Sequence, residues 1–310
     1  MDPTTIGPII VFTSPKAGSG ANREQIPRLR ELLKHRGFDH QFVHSPVELE
    51  AIVSELTGGE QQPPCVIAAG GDGTLSLAAS KTRPETRLIP MPMGTENLLA
   101  RMIGQSAQAE AVMQTLTDGN LRRIDAGSAN GRLFLIMATA GFDAEVVRRL
   151  HLRRKGHIRR TSYLAPIWQT LQRYRFPSLR VSQLADDGSV IEETTAAWAM
   201  VFNLPRYAAG LQIAPQAVEN DGMFDVVALP GQGFFKGMQY VAGAIRGRLE
   251  THADVRRFHA QRLRVEADER VAFELDGDYV GRLPLVIENL PLRVTLQVPP
   301  NRSHRPHIDR

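Results

Sequence analysis

Short apolar runs alternate with helical stretches through the first third of the chain. Ile9-Ile10-Val11-Phe12 is the first run, and it ends in the turn residues Ser14-Pro15-Lys16-Ala17-Gly18-Ser19-Gly20. A helical period follows from about residue 22 to 35, with Ile26, Leu29, Leu32 and Leu33 on one face, and Gly37 stops it. Phe42-Val43 marks a second strand. Residues 47–56 form a helical pattern through Leu49, Ile52, Val53 and Leu56. Cys65-Val66-Ile67-Ala68-Ala69 is a third strand, apolar at nearly every position. Continuous rather than alternating apolarity suits a strand covered on both faces, as in a parallel sheet. The β-α-β-α-β rhythm predicts a doubly wound, three-layer α/β domain.

Near Leu121 the rhythm changes. Strand-like runs fall at 121–125, 133–139, 179–184, 198–203, 224–229, 263–266, 270–275, 283–287 and 292–298. Turn signals lie between them, among them Asn220-Asp221-Gly222 and Asp276-Gly277-Asp278. Two helical patterns stand out in this half, at about 161–174 and 234–245. The half therefore predicts an antiparallel β-sandwich. The expected division is 1–125 for the α/β domain and 126–300 for the sandwich, with the end of the latter able to pack back on the first domain. A polar, frayed tail is expected at 301–310.

Composition narrows the class. The 310 residues are 42% hydrophobic and 23% charged, which is globular and not disordered. No apolar stretch approaches the eighteen residues of a membrane span. The start, Met1-Asp2-Pro3-Thr4-Thr5, lacks the basic and apolar regions of a signal peptide. One cysteine, Cys65, excludes an internal disulfide framework or a cysteine metal cluster, and its apolar strand makes it a core residue rather than a nucleophile. A reducing, cytoplasmic setting is the expectation. The net charge of +4 is uneven: residues 146–185 hold ten Arg or Lys and no acid, densest from Arg148 to Arg160. Such a block is either a solvated surface or a site for anions. Few aromatics interleave with it, which disfavours nucleic acid. An anionic membrane surface suits it better, each basic residue adding about 1 kcal/mol.

Two elements carry candidate chemistry. The third strand runs into Gly70-Gly71-Asp72-Gly73-Thr74, with a helix able to start just after. Glycines let the backbone approach a ligand, and a helix N-terminus favours phosphate. Asp72 could hold a magnesium-bound phosphate through water or orient the loop. A second element, Pro92-Met93-Gly94-Thr95-Glu96-Asn97, again follows a short strand and opens a helix. With the turn at 14–20, three loops converge on the carboxyl edge of the sheet, where open α/β sheets bind ligands. His44, after the second strand, is either a surface residue or a contact for a base or ribose. No Gly-Lys-Ser/Thr follows the first loop, so it is not a Walker A loop. No Gly-x-Gly-x-x-Gly fingerprint, Gly-x-Ser-x-Gly elbow or His-Glu-x-x-His pair occurs in the chain.

In combination these residues resemble the diacylglycerol kinase catalytic-domain family, which includes bacterial lipid kinases and sphingosine kinases. The resemblance covers nearly the whole chain. The Gly-Gly-Asp-Gly-Thr element alone is also found in NAD kinases and phosphofructokinases. The family's Asn-Pro-x-x-Gly loop is similar to Ser14-Pro15-Lys16-Ala17-Gly18, and its Pro-x-Gly-Thr-x-Asn element to Pro92–Asn97. Gly141-Phe142-Asp143-Ala144, Asn203-Leu204-Pro205-Arg206-Tyr207, Ile213-Ala214-Pro215 and Asn220-Asp221-Gly222-Met223-Phe224-Asp225 follow in the family's order, and Asp276-Gly277-Asp278 resembles its Asp-Gly-Glu motif. Three positions depart: Leu98 stands where many members have Asp, Asp278 replaces Glu, and Ser14 replaces Asn.

The resemblance implies a Rossmann-like α/β domain of the NAD kinase and phosphofructokinase type followed by a β-sandwich. It implies a lipid kinase transferring the γ-phosphoryl of ATP to diacylglycerol or a sphingoid base, a role in lipid metabolism at the membrane periphery. Ser14, Pro15, Lys16, Ala17, Gly18, Gly70, Gly71, Asp72, Gly73, Thr74, Gly94, Thr95 and Asn97 would hold ATP in the cleft between domains. Asp276 or Asp278 would be the general base. Val218, Asp221 and Met223 would bind a structural Mg2+, two through backbone carbonyls. An NAD kinase-like enzyme and a non-catalytic nucleotide- or lipid-binding pseudokinase are the alternatives.

Overall fold

The computed structural model describes residues 6–13, 22, 24–56, 62–152, 164–207, 211 and 213–300. Ser14, Pro15, Lys16, Ala17 and Gly18, the basic residues from Arg153 to Arg160 and the tail from Asn301 lie outside them. The chain divides into two compact units, residues 1–124 with 293–310 and residues 125–292.

The first unit runs β1 (Ile9–Thr13), α1 (Gln25–His35), β2 (His40–Val43), α2 (Pro46–Leu56), β3 (Cys65–Gly70), α3 (Asp72–Ser80), β4 (Arg87–Pro92), α4 (Leu98–Ile103) and α5 (Ala109–Asp118). β1 pairs in parallel with β2 and β3, and β3 with β4. Ala69 lies opposite Thr13 and Met91. The three strands therefore end level, and the loops after β3 and β4 leave at the same edge. Val11, Ile67, Ile89 and Met91 pack with Leu29 and Leu33 of α1 and Val112, Met113 and Leu116 of α5. α3 packs on β3 and β4. Each such fully buried side chain contributes about 1.5–3 kcal/mol. Cys65 belongs to this core, and burial pushes its thiol up to about 12.

The second unit contains most of β5 (Asn120–Ala129), then β6 (Arg132–Phe134), β7 (Met137–Ala140), α6 (Phe142–Leu152), α7 (Leu164–Arg173), β8 (Leu179–Leu184), β9 (Val190–Ala196), β10 (Trp198–Phe202), β11 (Phe224–Leu229), α8 (Gly233–Ile245), β12 (Arg256–Ala260), β13 (Arg262–Glu266), β14 (Ala272–Leu275), β15 (Asp278–Arg282) and the start of β16 (Leu285–Val298). One antiparallel sheet has the order β12-β11-β10-β7-β14-β15. Facing it are the antiparallel strands β16-β13-β8-β9 and the β5-β6 hairpin. Ala138, Ala140, Ala199, Val201, Phe273 and Leu275 of the first sheet pack against Val181, Leu263, Val265 and Ile287 of the second. This is a β-sandwich. Successive strand residues point to opposite faces. Thr139, Trp198 and Glu274, the neighbours of these core residues, therefore lie on the far face, which α6 covers.

The structure differs from the sequence pattern at α5, β9, β12 and β15, which no run marked, and in three further places. The run 133–139 is two strands, β6 and β7. The runs 283–287 and 292–298 are one strand, β16. α6 is a helix that the strand-rich pattern did not announce. The last residues of β16 belong to the first unit: Thr295 and Leu296 pair in parallel with Arg87 and Leu88, and Gln297 Nε2 donates to the Thr115 and Leu116 carbonyls at the end of α5.

Candidate functional site

In the first unit the loops after β3 and β4 are built against each other. Gly71 caps α3 with an extended, unstrained backbone, φ −87°. Its glycine is not demanded by a left-handed conformation. Space demands the partner glycine: a Cβ on Gly94 would lie 2.6 Å from Gly71 Cα and 2.8 Å from Asn97 Oδ1. The Met93 N–H donates to the Gly70 carbonyl at 2.8 Å. Asn97 sits at φ +49°, accepts from the Gly94 N–H through Oδ1 at 2.9 Å and returns a bond from Nδ2 to the Gly94 carbonyl at 2.8 Å. Gly94 and Thr95 remain exposed.

Asp72 ties the loops together. Its carboxylate accepts from the Leu98 N–H at 3.0 Å and the Leu99 N–H at 3.3 Å, the first turn of α4. Those helix-start donors have no intrahelical partners, and a carboxylate there also meets the positive end of the helix. Of the two roles open to Asp72, these bonds match the orienting one. Leu98, the residue that departs from the family's acid, is buried, and its N–H is one of the two that Asp72 holds. His44 is exposed and donates from Nδ1 to the Thr13 carbonyl at 3.0 Å.

In the second unit, Asp276-Gly277 is a two-residue hairpin loop between β14 and β15, with Leu275 paired to Asp278. Both loop residues have positive φ, +51° and +85°. That is the conformation in which Asp-Gly is favoured. The Asp276 carboxylate is engaged: Oδ2 accepts from the Leu135 N–H at 2.9 Å, and Oδ1 from the N–H groups of Ile136 at 2.8 Å and Met137 at 3.1 Å. Asp278 is exposed, and no hydrogen bond or ion pair holds its carboxylate among the described residues. Two carboxylates two residues apart thus have different environments. One is a clamp on the segment between β6 and β7, and the other faces solvent.

The Asn220-Asp221-Gly222 segment is a turn leading into β11. Asp221 is exposed and accepts from the Met223 N–H through Oδ1 at 2.9 Å. Behind it stands Asp125, fully buried, which the sequence did not single out for a role. Asp125 accepts from the Gly222 N–H and from the Leu292 N–H, each at 2.7 Å. Asn203, also fully buried, donates from Nδ2 to the carbonyls of Asp125 and Leu135. Asp143 and Glu274 form a third cluster, bridged by Thr139 Oγ1 at 2.8 and 3.0 Å. Asp143 and Asn203 lie in segments that the family resemblance marked without a role. A carboxylate set in an apolar run, as in Ala272-Phe273-Glu274-Leu275, is the signal that could have found Glu274.

Residues 8–129 match the diacylglycerol kinase catalytic domain, and residues 137–298 match the YegS C-terminal NAD kinase beta sandwich-like domain. The chain belongs to the diacylglycerol kinase catalytic-domain family. A diacylglycerol kinase of Bacillus subtilis (strain 168) is 24% identical over 306 residues, spanning 95% of this chain and 97% of that protein. One from Staphylococcus saprophyticus is 23% identical over 295 residues, spanning 93% and 94%. A crystal structure described as a putative diacylglycerol kinase from Bacillus anthracis str. Sterne shares the fold, with a TM-score of 0.73 at 21% identity over 97% of this chain and 99% of that one. For a member of the diacylglycerol kinase family, the two loops at the sheet edge and the exposed acid at the β14–β15 turn are the candidate machinery.

Proposed function

We propose that this chain is an ATP-dependent lipid kinase that transfers the γ-phosphoryl group to a hydroxyl of diacylglycerol or a sphingoid lipid. The observation that carries the reading is the pair of glycine loops at one sheet edge, locked by Asp72 and Asn97, with the start of α3 beside them. Such a surface offers backbone N–H groups and a helix N-terminus to phosphates without side chains in the way. Gly70, Gly71, Gly73, Thr74, Gly94 and Thr95 would bind the nucleotide, and Asp72 and Asn97 would hold the loops in shape. The motif at Ser14, Pro15, Lys16, Ala17 and Gly18 would add to this surface.

Asp278 is the proposed general base. It would accept the proton of the lipid hydroxyl as that oxygen attacks the γ-phosphorus and ADP leaves. Among the described residues no partner holds its carboxylate, which supports this choice over Asp276, whose oxygens already accept three N–H donors. A positioned base contributes about 10²–10⁴ in rate, and the remainder comes from orientation and charge stabilisation. The oxygen-only donor set of Asp221 with the Val218 and Met223 carbonyls fits a hard divalent cation such as Mg2+. The ion would supply positive charge and order the turn before β11.

The bilayer is the proposed working surface. No helix among the described residues is long and apolar enough to cross a membrane. α8 exposes Phe235 (74%), Met238 and Ile245 (65%), and α7 exposes Trp168 (52%) against Phe234. Arg173, Arg175, Arg246 and Arg248 near the ends of these helices are exposed. Apolar and basic side chains together suit an anionic interface. The deciding experiment is a radiolabelled-ATP screen of the purified protein over a lipid panel with NAD included. Label in a lipid supports the proposal. Label in NAD alone, or ATP binding without transfer to any acceptor, overturns it.

A further inference from the structure

Glu274 is a carboxyl group without solvent and, among the described residues, without a cation. Its exposure is 0%, and that of Asp143 is 6%. Among the described residues no Lys, Arg or His forms an ion pair with either. The Thr139 hydroxyl touches both and carries one proton, so it donates to one carboxyl and accepts from the other. Donor count decides the direction. Asp143 also accepts from the Ala144 N–H at 2.9 Å, Trp198 Nε1–H at 2.7 Å and the Tyr207 hydroxyl at 2.7 Å. Beyond Thr139, Glu274 accepts among the described residues from the Gly277 N–H, at 2.6 Å through Oε2. Two carboxylates in one dry site do not both ionise. The anion belongs on Asp143, where the donors are, and the proton on Glu274.

We propose that Glu274, as a neutral acid, is a positioning residue for the β14–β15 turn. Its Oε1–H donates to Thr139, Thr139 donates on to Asp143, and its Oε2 holds the Gly277 N–H. The turn then presents Asp278 in one orientation. The alternation of β14 makes this placement possible, because Phe273 and Leu275 enter the sandwich core and Glu274 faces α6. The role in catalysis rests on Asp278 being the base; the shared proton does not.

The proton has a pH signature. Titratable groups beside Glu274 are Asp143 from α6, Asp276 from the turn and Tyr279, its cross-strand partner on β15; Tyr207 and Tyr174 face Asp143. Glu145 on α6 is tied to Arg148 and Arg149. Burial, then the charge of Asp143, pushes Glu274 well above the ordinary carboxylate range. Burial raises Asp143 too, but its four donors favour the anion. A group whose folded value is raised stabilises the fold most below its unfolded value, about 4.3. That contribution is lost as pH rises toward the raised one.

The test compares Glu274→Gln with Glu274→Ala. A glutamine keeps both bonds, its amide N–H₂ donating to Thr139 and its oxygen accepting from Gly277. Unfolding against pH should be flatter for Glu274→Gln than for the wild type above pH 4.3. Amide exchange of a peptide covering 276–282 should be at least tenfold faster in Glu274→Ala and near wild type in Glu274→Gln. With a turned-over lipid, Glu274→Ala should lower kcat at least tenfold at constant KM for ATP, and Glu274→Gln should recover most of that loss. A Glu274→Gln protein with the wild-type pH slope, or one exchanging as fast as Glu274→Ala, overturns the proposal. If Glu274→Ala does not fold, the pH slope of Glu274→Gln decides. If no lipid is turned over, the kinase reading fails while the exchange and pH measurements still judge this one.

Discussion

The glycine loops of the first unit and the Asp276-Gly277 turn of the second solve one problem by different chemistry. Each holds the backbone of an exposed loop in one conformation. In the first unit an exposed loop is pinned by side chains that accept from backbone: Asp72 on α4, and Asn97 on Gly94. In the second, Asp276 pins the segment before β7 in the same way, but a protonated Glu274 pins the turn itself. Asp72 and Asp276 are each a structural clamp on backbone N–H groups. The lesson is that an aspartate in a glycine-rich turn has to be read by its donors before it is read as a base.

The largest expected effect separates the two acids of the turn. Asp278→Asn should lower turnover by about 10²–10⁴ and leave the melting temperature near wild type. Asp276→Ala should instead strand three N–H donors, each costing about 1–3 kcal/mol when left unsatisfied, and lower the melting temperature in a calorimeter. Equal thermal loss in both variants would erase the distinction.

Next come the two glycines. Gly94→Ala puts a Cβ within 2.6 Å of the Gly71 backbone and should reduce both stability and ATP affinity. Gly71→Ala meets nothing closer than 3.4 Å and should keep stability. Its cost should appear in ATP binding by calorimetric titration, and unchanged affinity would exclude this loop from the nucleotide site. Asp72→Ala is a smaller change, removing two helix-start acceptors for about 1–2 kcal/mol of stability and weakening ATP binding with it. The smallest effect is at Cys65. Its buried thiol, raised to about 12, should resist a thiol reagent at pH 8 in the folded protein and react fully in denaturant.

Local chemistry was legible in the sequence, and long-range chemistry was not. The two glycine loops, the Asp-Gly turn and the central strands β8, β10 and β11 stand out from residue type and spacing. β9, β12 and β15 do not, and all three are sheet edges. Edge strands carry charged and polar residues, as in Arg256-Arg257-Phe258-His259-Ala260, which blurs the apolar signal. α6 was hidden because Phe142, Ala144 and Val146 alternate with Asp143 and Glu145 at the period of a strand rather than of a helix. Asp125 looked like the end of a strand, since its partners Gly222 and Leu292 lie 97 and 167 residues away. Asp276 was legible as an acid in a turn. Its three donors, about 140 residues earlier, were not.

β16 gives the molecule an order of completion during synthesis. The parallel sheet of residues 9–92 is translated first, yet the strand segment that pairs with β4 at Thr295 and Leu296 is translated last. All of residues 125–292 intervene, roughly 10–30 s at ordinary elongation rates. The sandwich is contiguous in the chain and can close its sheets before the older half receives its final strand. On the ribosome, the first unit therefore waits with the β4 edge bare until the end of β16 emerges.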